Sequence, residues 1–398
     1  MLLKKLKTVF FLINKIIYIF IEKKGNLNKL KIDNKHTFSH VTYYIIGNAG
    51  DIALSQCVRR MFEKNFKLIN WNLIKISNTV DERIIDKINQ TKALIIGGGG
   101  LFLPDTNENV ISGWQWGISG DLLNKIEVPI IVYSVGYNYF YGQECSELFR
   151  RNLEMLCDRA KFVGLRNTGS ILAVKGLLNK EFQEKILYQP CITTLIRKLY
   201  GDTIPPKRPS RKVAFNIAFD REEKRYGKRK EHILYAIASA AKMIEERGYE
   251  IYLVYHVASD TEAKKYMDAM GVHYIEKNLV NTFPNQIFLF YNQIELVFGM
   301  RGHAQMIPFG LNCEIVSLVT HNKMKWFLED INAIDWQIDL MEEDESLERT
   351  IFEKFIQIHE NSQDDTRRRL IEGQEKLWKI SQENMDKISA IINTNSMV

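Results

Sequence analysis

Short β-branched runs alternate with longer amphipathic stretches in this chain, and they do so twice, once on each side of a proline-bearing segment at 201–212. In the first half, residues 40–46, 68–74, 93–96, 130–135, 162–165 and 186–188 read as strands. The intervening 52–64, 81–90, 116–126 and 144–157 have the 3.6-residue apolar spacing of helices. The second half repeats the pattern, with strands at 213–218, 251–255, 272–275, 296–298 and 314–319 and helices at 230–247, 260–270, 284–291 and 303–309. Helices between strands force parallel pairing and a sheet covered on both faces. The expected architecture is therefore α/β, with two Rossmann-like domains facing a cleft.

A chain of 398 residues exceeds one ordinary core. The expected division is a basic and apolar extension at 1–36, a first domain at 37–200, a linker at 201–212 carrying Pro205, Pro206 and Pro209, a second domain at 213–340, and terminal helices at 341–398. In those helices Leu347, Ile351, Phe355, Leu370, Leu377 and Ile380 form the expected buried stripe, with Arg367, Arg368 and Arg369 exposed. The net charge of +6 comes from 54 basic and 48 acidic residues, too even a balance to argue for nucleic acid. Five scattered cysteines without a CxxC pair suit a reducing cytoplasm, and the eight histidines show no metal-ligand spacing, so neither a disulfide framework nor a metal site is expected. Residues 9–21 are too short to span a bilayer. With the lysines around them, residues 1–24 read as a basic amphipathic helix on the inner, anionic membrane face, as a helix packed on the protein, or as a signal peptide for which no small-residue cleavage site follows.

Chemistry gathers where strands end. Phe298-Gly299-Met300-Arg301-Gly302-His303-Ala304 sets Arg301 and His303 at the amino end of a helix, an anion site in which a guanidinium adds a two-pronged grip. The strand at 314–319 then delivers Thr320-His321-Asn322-Lys323 into a loop. In the first half, Ile46-Gly47-Asn48-Ala49-Gly50-Asp51 makes one glycine loop, with Asp51 as the N-cap of the next helix, and Ile95-Ile96-Gly97-Gly98-Gly99-Gly100-Leu101 makes another. Arg166 sits at a strand end before a further helix start. The aromatic loop 102–118, with Trp116, either stacks a sugar or folds into the core. His256 and Asp260 bracket a loop facing the cleft, and Asp220 to Arg225 reads as a solvated run from which Arg221 reaches an acidic acceptor.

These motifs, in this order across 40–330, resemble those of the polysaccharide pyruvyl transferases, whose C-terminal signature runs Gly-Met-Arg-x-His-Ala with a loop lysine beyond it. The resemblance implies a GT-B-like fold and transfer of pyruvate from phosphoenolpyruvate to a sugar diol on a surface polysaccharide or its lipid-linked precursor, closing a ketal. Phosphoenolpyruvate is then a co-substrate and no cofactor is needed. A small trianion demands concentrated cations and helix amino ends. Arg166, Arg301 and Lys323 meet that need, with Gly47, Asn48, Gly98 and Gly99 as donor-site backbone. His303 is the candidate acid and Asp51 the candidate base; Trp116, His256 and Arg221 are candidates for the acceptor. Two places depart from the family pattern: Gln189-Pro190-Cys191 stands where Asp-Pro is usual, and His321 precedes the loop lysine. The rivals are a nucleotide-sugar glycosyltransferase of the same architecture and a non-catalytic scaffold of glycan assembly. A dinucleotide oxidoreductase is weaker, because 97–100 is not Gly-x-Gly-x-x-Gly.

Overall fold

Each half of the chain lays down a six-stranded, wholly parallel sheet in the computed structural model, which describes residues 36–44, 47–103, 110–138, 145–321, 323–342 and 344–394. The first sheet uses β1 (Thr37–Thr42), β2 (Asn70–Lys75), β3 (Leu94–Phe102), β4 (Ile130–Tyr137), β5 (Ala160–Leu165) and β6 (Ile186–Tyr188), in the order β2-β1-β3-β4-β5-β6. The second uses β7 (Lys212–Asn216), β8 (Glu250–Tyr255), β9 (Tyr274–Asn278), β10 (Leu296–Gly299), β11 (Glu314–Val319) and β12 (Gln337–Asp339), ordered β12-β11-β10-β7-β8-β9. Every residue of β1, β4, β10 and β11 is buried, as expected of parallel strands with helices on both faces. The fold is α/β, two Rossmann-like lobes in a GT-B-like arrangement. The strand order reverses between β1 and β3 and between β7 and β10, and a doubly wound sheet opens its ligand crevice at such points.

Several expected elements change on folding. The helix expected at 52–64 starts earlier, at Ala49, because Asn48 caps it: the Asn48 Oδ1 accepts the Gly50 N–H at 2.9 Å. Asp51 is thus a first-turn residue and not the cap. The glycine run is not a loop after the strand but part of β3, where a Cβ on Gly98 would meet Leu54 at 2.8 Å. Lys323 opens the helix Lys323–Asp330 instead of standing in a loop, and its side chain lies outside the described residues. So do residues 1–35 of the expected extension 1–36, among them the membrane-contact candidate 1–24. Among the described residues no helix is long and apolar enough to cross a membrane.

The final helix, Gln363–Thr394, binds both lobes. Gln374 donates to the Phe309 carbonyl in the second lobe, while Asn384 donates to the Tyr188 carbonyl at 2.8 Å in the first. Its buried face passes through Leu370, Leu377, Ser381, Met385 and Ile388, so Ile380 falls to the half-buried flank that a 3.6-residue turn assigns it. The arginines are not simply exposed either. Arg367 reaches the buried Glu295 at 2.6 Å, and Arg369 pairs with Asp335 and lies over the Trp336 ring.

Candidate functional site

Between the carboxyl ends of the two sheets lies a cavity of about 380 Å³. One wall comes from the first lobe, with Asn48, Asp51, Gly100, Gln115, Asn138 and Arg166. The other comes from the second, with Asp220, Arg221, Arg225, His256, Arg301 and His303. Of the residues singled out in the sequence, Asn48, Asp51, Arg166, Arg221, His256, Arg301 and His303 are therefore brought together. Gly98 and Gly99 do not line the cavity; Gly100 does. Gly47, at φ +155°, makes the turn into the capped helix without lining it.

Trp116 is withdrawn altogether. It is fully buried, edge-on to Trp114 with ring centroids 6.0 Å apart, and the residue that reaches the cavity from this segment is Gln115, which accepts the Tyr43 hydroxyl at 2.6 Å. Two large rings gain more by leaving water than by stacking at a rim.

The two walls hold their charge differently. Arg166 is 8% exposed. Its guanidinium donates to the Asn138 Oδ1 at 3.1 Å, its Nε has no partner, and among the described residues no carboxylate lies within ion-pair distance. Burial lowers its pKa, offset in part by the more distant Cys191 and Asp51. It stays a cation in any case. The room for it is built in: a Cβ on Gly136 would meet the Arg166 Nε at 2.2 Å. Directly after Arg166, the Asn167 side chain caps the helix Thr168–Leu177 through the Ser170 N–H at 2.7 Å, so the guanidinium stands beside a helix amino end.

Arg301, by contrast, is no free grip for a ligand. Asp260, completely buried, takes its Nε at 3.0 Å and its Nη2 at 2.5 Å, and Asp220 takes Nη2 at 2.6 Å. Burial presses the arginine's pKa down, but the hydrogen bonds and charges of Asp260 and Asp220 together overcome it and raise it. Asp260 also accepts the backbone N–H groups of His256 and Val257, so it is the anchor of this corner. Asp220 continues the chain of charges to Arg225, at 3.0 and 3.2 Å, and Arg225 donates onward to Thr320 at 3.2 Å. Arg225 is 4% exposed, so the run expected to be solvated is a wall of the cavity. Burial pushes the Asp220 carboxyl up, but Arg301 and Arg225 together overcome it and hold the group well below the usual carboxylate range.

His256 is buried, its Nε2 2.6 Å from the Tyr291 hydroxyl, and burial lowers its pKa to about 4 despite Asp260. It is a neutral group at working pH. His303 starts the helix His303–Phe309 and crosses to the first lobe, where its Nε2 lies 3.8 Å from the Cys191 sulfur. A Cβ on Gly50 would meet its Nδ1 at 2.3 Å. The close seat of His303 against the helix carrying Asp51 therefore requires glycine at 50. Sequence reading missed Asp220, Arg225, Asn138 and Gln115 as lining residues, and Cys191 as the neighbour of His303. Only Gln115 left a signal, as the polar residue between two buried tryptophans.

A family model described as polysaccharide pyruvyl transferase matches residues 48–322. No curated protein matches the chain. Among solved structures, the S. aureus MnaA–UDP complex is 10% identical with a TM-score of 0.54, over 90% of this chain and 97% of that one. The UDP-N-acetylglucosamine 2-epimerase of Rickettsia bellii is likewise 10% identical with a TM-score of 0.53, over 90% and 97%. At such identity these likenesses speak for the fold alone.

Proposed function

The chain belongs to the polysaccharide pyruvyl transferase family, and on that premise we propose that it moves the pyruvyl group of phosphoenolpyruvate onto two hydroxyls of a glycan or lipid-linked sugar, releasing phosphate and closing a ketal. The observation that carries this reading is the buried Arg166 guanidinium with no carboxylate bound to it, on the wall opposite His303 in one cavity. A small trianion supplies the charge that this corner lacks, and the amino end of the helix Thr168–Leu177 adds peptide dipoles to it. Lys323 is a secondary donor contact, and Arg301 serves the donor only indirectly, by fixing the loop before His303. In the proposed sequence His303 protonates the methylene carbon of the enol ester. A sugar hydroxyl attacks the resulting oxocarbenium centre as its proton passes to Asp51, phosphate departs, and the second hydroxyl closes the ring as its proton returns to His303. His256 and Arg221 face the acceptor.

Residues 1–24 are proposed to hold the protein to an anionic membrane face where a lipid-linked acceptor would lie. The first 35 residues carry nine lysines against two acidic residues, which leaves 45 basic and 46 acidic over the rest, so the positive charge of the chain resides in this segment.

The deciding experiment incubates the purified protein with labelled phosphoenolpyruvate and a panel of lipid-linked sugars, following phosphate release and an acid-labile ketal by mass. Transfer that disappears in His303→Gln while the melting temperature stays near wild type is the expected result. Release of nucleoside diphosphate from a nucleotide sugar, with no ketal from phosphoenolpyruvate, would overturn the proposal in favour of a glycosyltransferase.

A further inference from the structure

The second-lobe wall is lined by guanidinium groups, and around Asp220 two of them are matched by two carboxylates. Arg301 and Arg225 are interleaved with Asp260 and Asp220, and the carboxylate of Asp220 lies against both guanidinia at 2.6 to 3.2 Å. Of these four side chains Asp260 is completely buried, while Asp220 is 38% exposed at the cavity surface. A ligand touching this wall therefore meets a carboxylate first, with N–H donors on either side of it. An anion set against Asp220 would be repelled at contact and would find Arg225 and Arg301 already matched by carboxylates behind it, whereas the first-lobe wall offers the Arg166 cation with no carboxylate bound to it. A neutral ligand with adjacent hydroxyls finds a partner for each: one hydroxyl donates to the carboxylate and its neighbour accepts from a guanidinium N–H.

From this arrangement we infer that Asp220, held between Arg225 and Arg301, is a specificity-determining residue that reads the hydroxyl pair of a neutral saccharide, so that the acceptor seats on the second lobe and the anionic donor on the first. The inference rests on the proposed function and assigns its two substrates to opposite walls. Asp220 orients the diol and does not take its proton, because two flanking guanidinia keep its carboxylate a very weak base. Proton removal stays with Asp51 across the cavity, and with His303 for the second hydroxyl. Arg225 is the positioning residue. Its Nε also donates to the Asp220 carbonyl at 2.8 Å, so one side chain holds both the backbone and the carboxylate of residue 220. The neighbouring Arg221 takes the left-handed conformation, φ +57°, at the N-cap of the short helix Glu222–Tyr226, and this turn keeps residue 220 at the wall.

The sign of charge makes the test sharp. In full-length Asp220→Asn the acceptor KM is expected to rise at least tenfold while the KM for phosphoenolpyruvate stays within twofold. Arg225→Lys should raise the acceptor KM in the same direction by a smaller factor. A fall in the phosphoenolpyruvate KM with the acceptor KM unchanged would mean that Asp220 had been repelling an anion, and would overturn the assignment; so would no change in either. Saturation-transfer NMR with methyl galactoside, glucoside and mannoside reads the same contact without turnover. Wild type should show enhancement at the protons of one hydroxyl-bearing carbon pair, lost in Asp220→Asn but kept in Asp220→Glu. Such binding in a wild type that forms no ketal would reject the proposed reaction and leave the subsite standing. Ketal formation unaltered in Asp220→Asn would reject the subsite alone.

Discussion

The two walls of the cavity each bury arginine, and they do it by opposite means. Arg301 and Arg225 are buried among carboxylates that belong to the fold, whereas Arg166 is buried against an amide and a pair of glycine-lined strands with no carboxylate bound. A buried charge is costly to leave uncompensated, so the first arrangement secures the structure and the second leaves a demand that a ligand can meet. Arginines that look equivalent along the chain therefore divide into those the fold pairs with carboxylates and one it does not.

The largest test of this contrast removes a paired carboxylate. Asp260→Ala takes from Arg301 its fully buried partner, leaving only the part-exposed Asp220, and removes the acceptor of two backbone N–H groups; it should lower unfolding free energy by about 3–5 kcal/mol in urea denaturation, the usual effect of breaking one side of a buried pair. A loss under 1 kcal/mol would show that Arg301 had never depended on it. Arg166→Met should behave in the opposite way, costing no stability, because it deletes an unpaired buried charge, while donor kcat/KM falls roughly 100-fold or more, as when one preorganised donor is lost. An Arg166→Met protein as unstable as Asp260→Ala would erase the distinction between the walls.

Acidity probes the point where the second lobe touches the turn after Arg166. Asp330 accepts the Thr168 hydroxyl at 2.5 Å, at the first residue of the helix that follows Arg166, and burial raises its pKa to about 6 in spite of hydrogen bonds from Thr168 and Tyr188. In the unfolded chain an aspartate titrates near 3.9, so between these values the folded state holds a proton that the unfolded state has lost. The contribution of Asp330 to stability accordingly falls as pH rises from about 4 to about 6, by up to roughly 3 kcal/mol, and the loss is complete above that range. Asp330→Asn should flatten this part of the stability profile; an unchanged profile would assign the slope to other groups.

The smallest effect expected is at the seam. Gly50→Ala favours its helix by about 1 kcal/mol, but the new methyl must displace the His303 ring. Turnover should drop about tenfold with little loss of stability, and an unaffected turnover would mean that the position of His303 does not matter.

Much of the fold could be read along the chain. The strand Glu314–Val319 and the helices Pro284–Tyr291 and His303–Phe309 fall where apolar period, a leading proline and a terminal glycine put them, because these signals act within a few residues. Boundaries slipped where a cap competed, as Asn48 did with Asp51. The identity of the cavity-lining loops also came from local sequence: Arg166, His303 and Asp51 stand at strand ends and helix starts, and parallel sheets send those places to one crevice.

What lay beyond local sequence was which charges meet. Asp260 is 41 residues from Arg301, and Asp220 is 81 residues from it; neither spacing has a helical or strand period. Their pairing follows from β7, β8 and β10 lying side by side, so that three loops distant in sequence converge over one sheet edge. Residue type and local pattern determined that cations and a histidine would gather at the carboxyl ends of two parallel sheets. Tertiary packing alone decided which cations are neutralised by carboxylates of the protein and which are not, because the energy of a charge depends on what surrounds it in space.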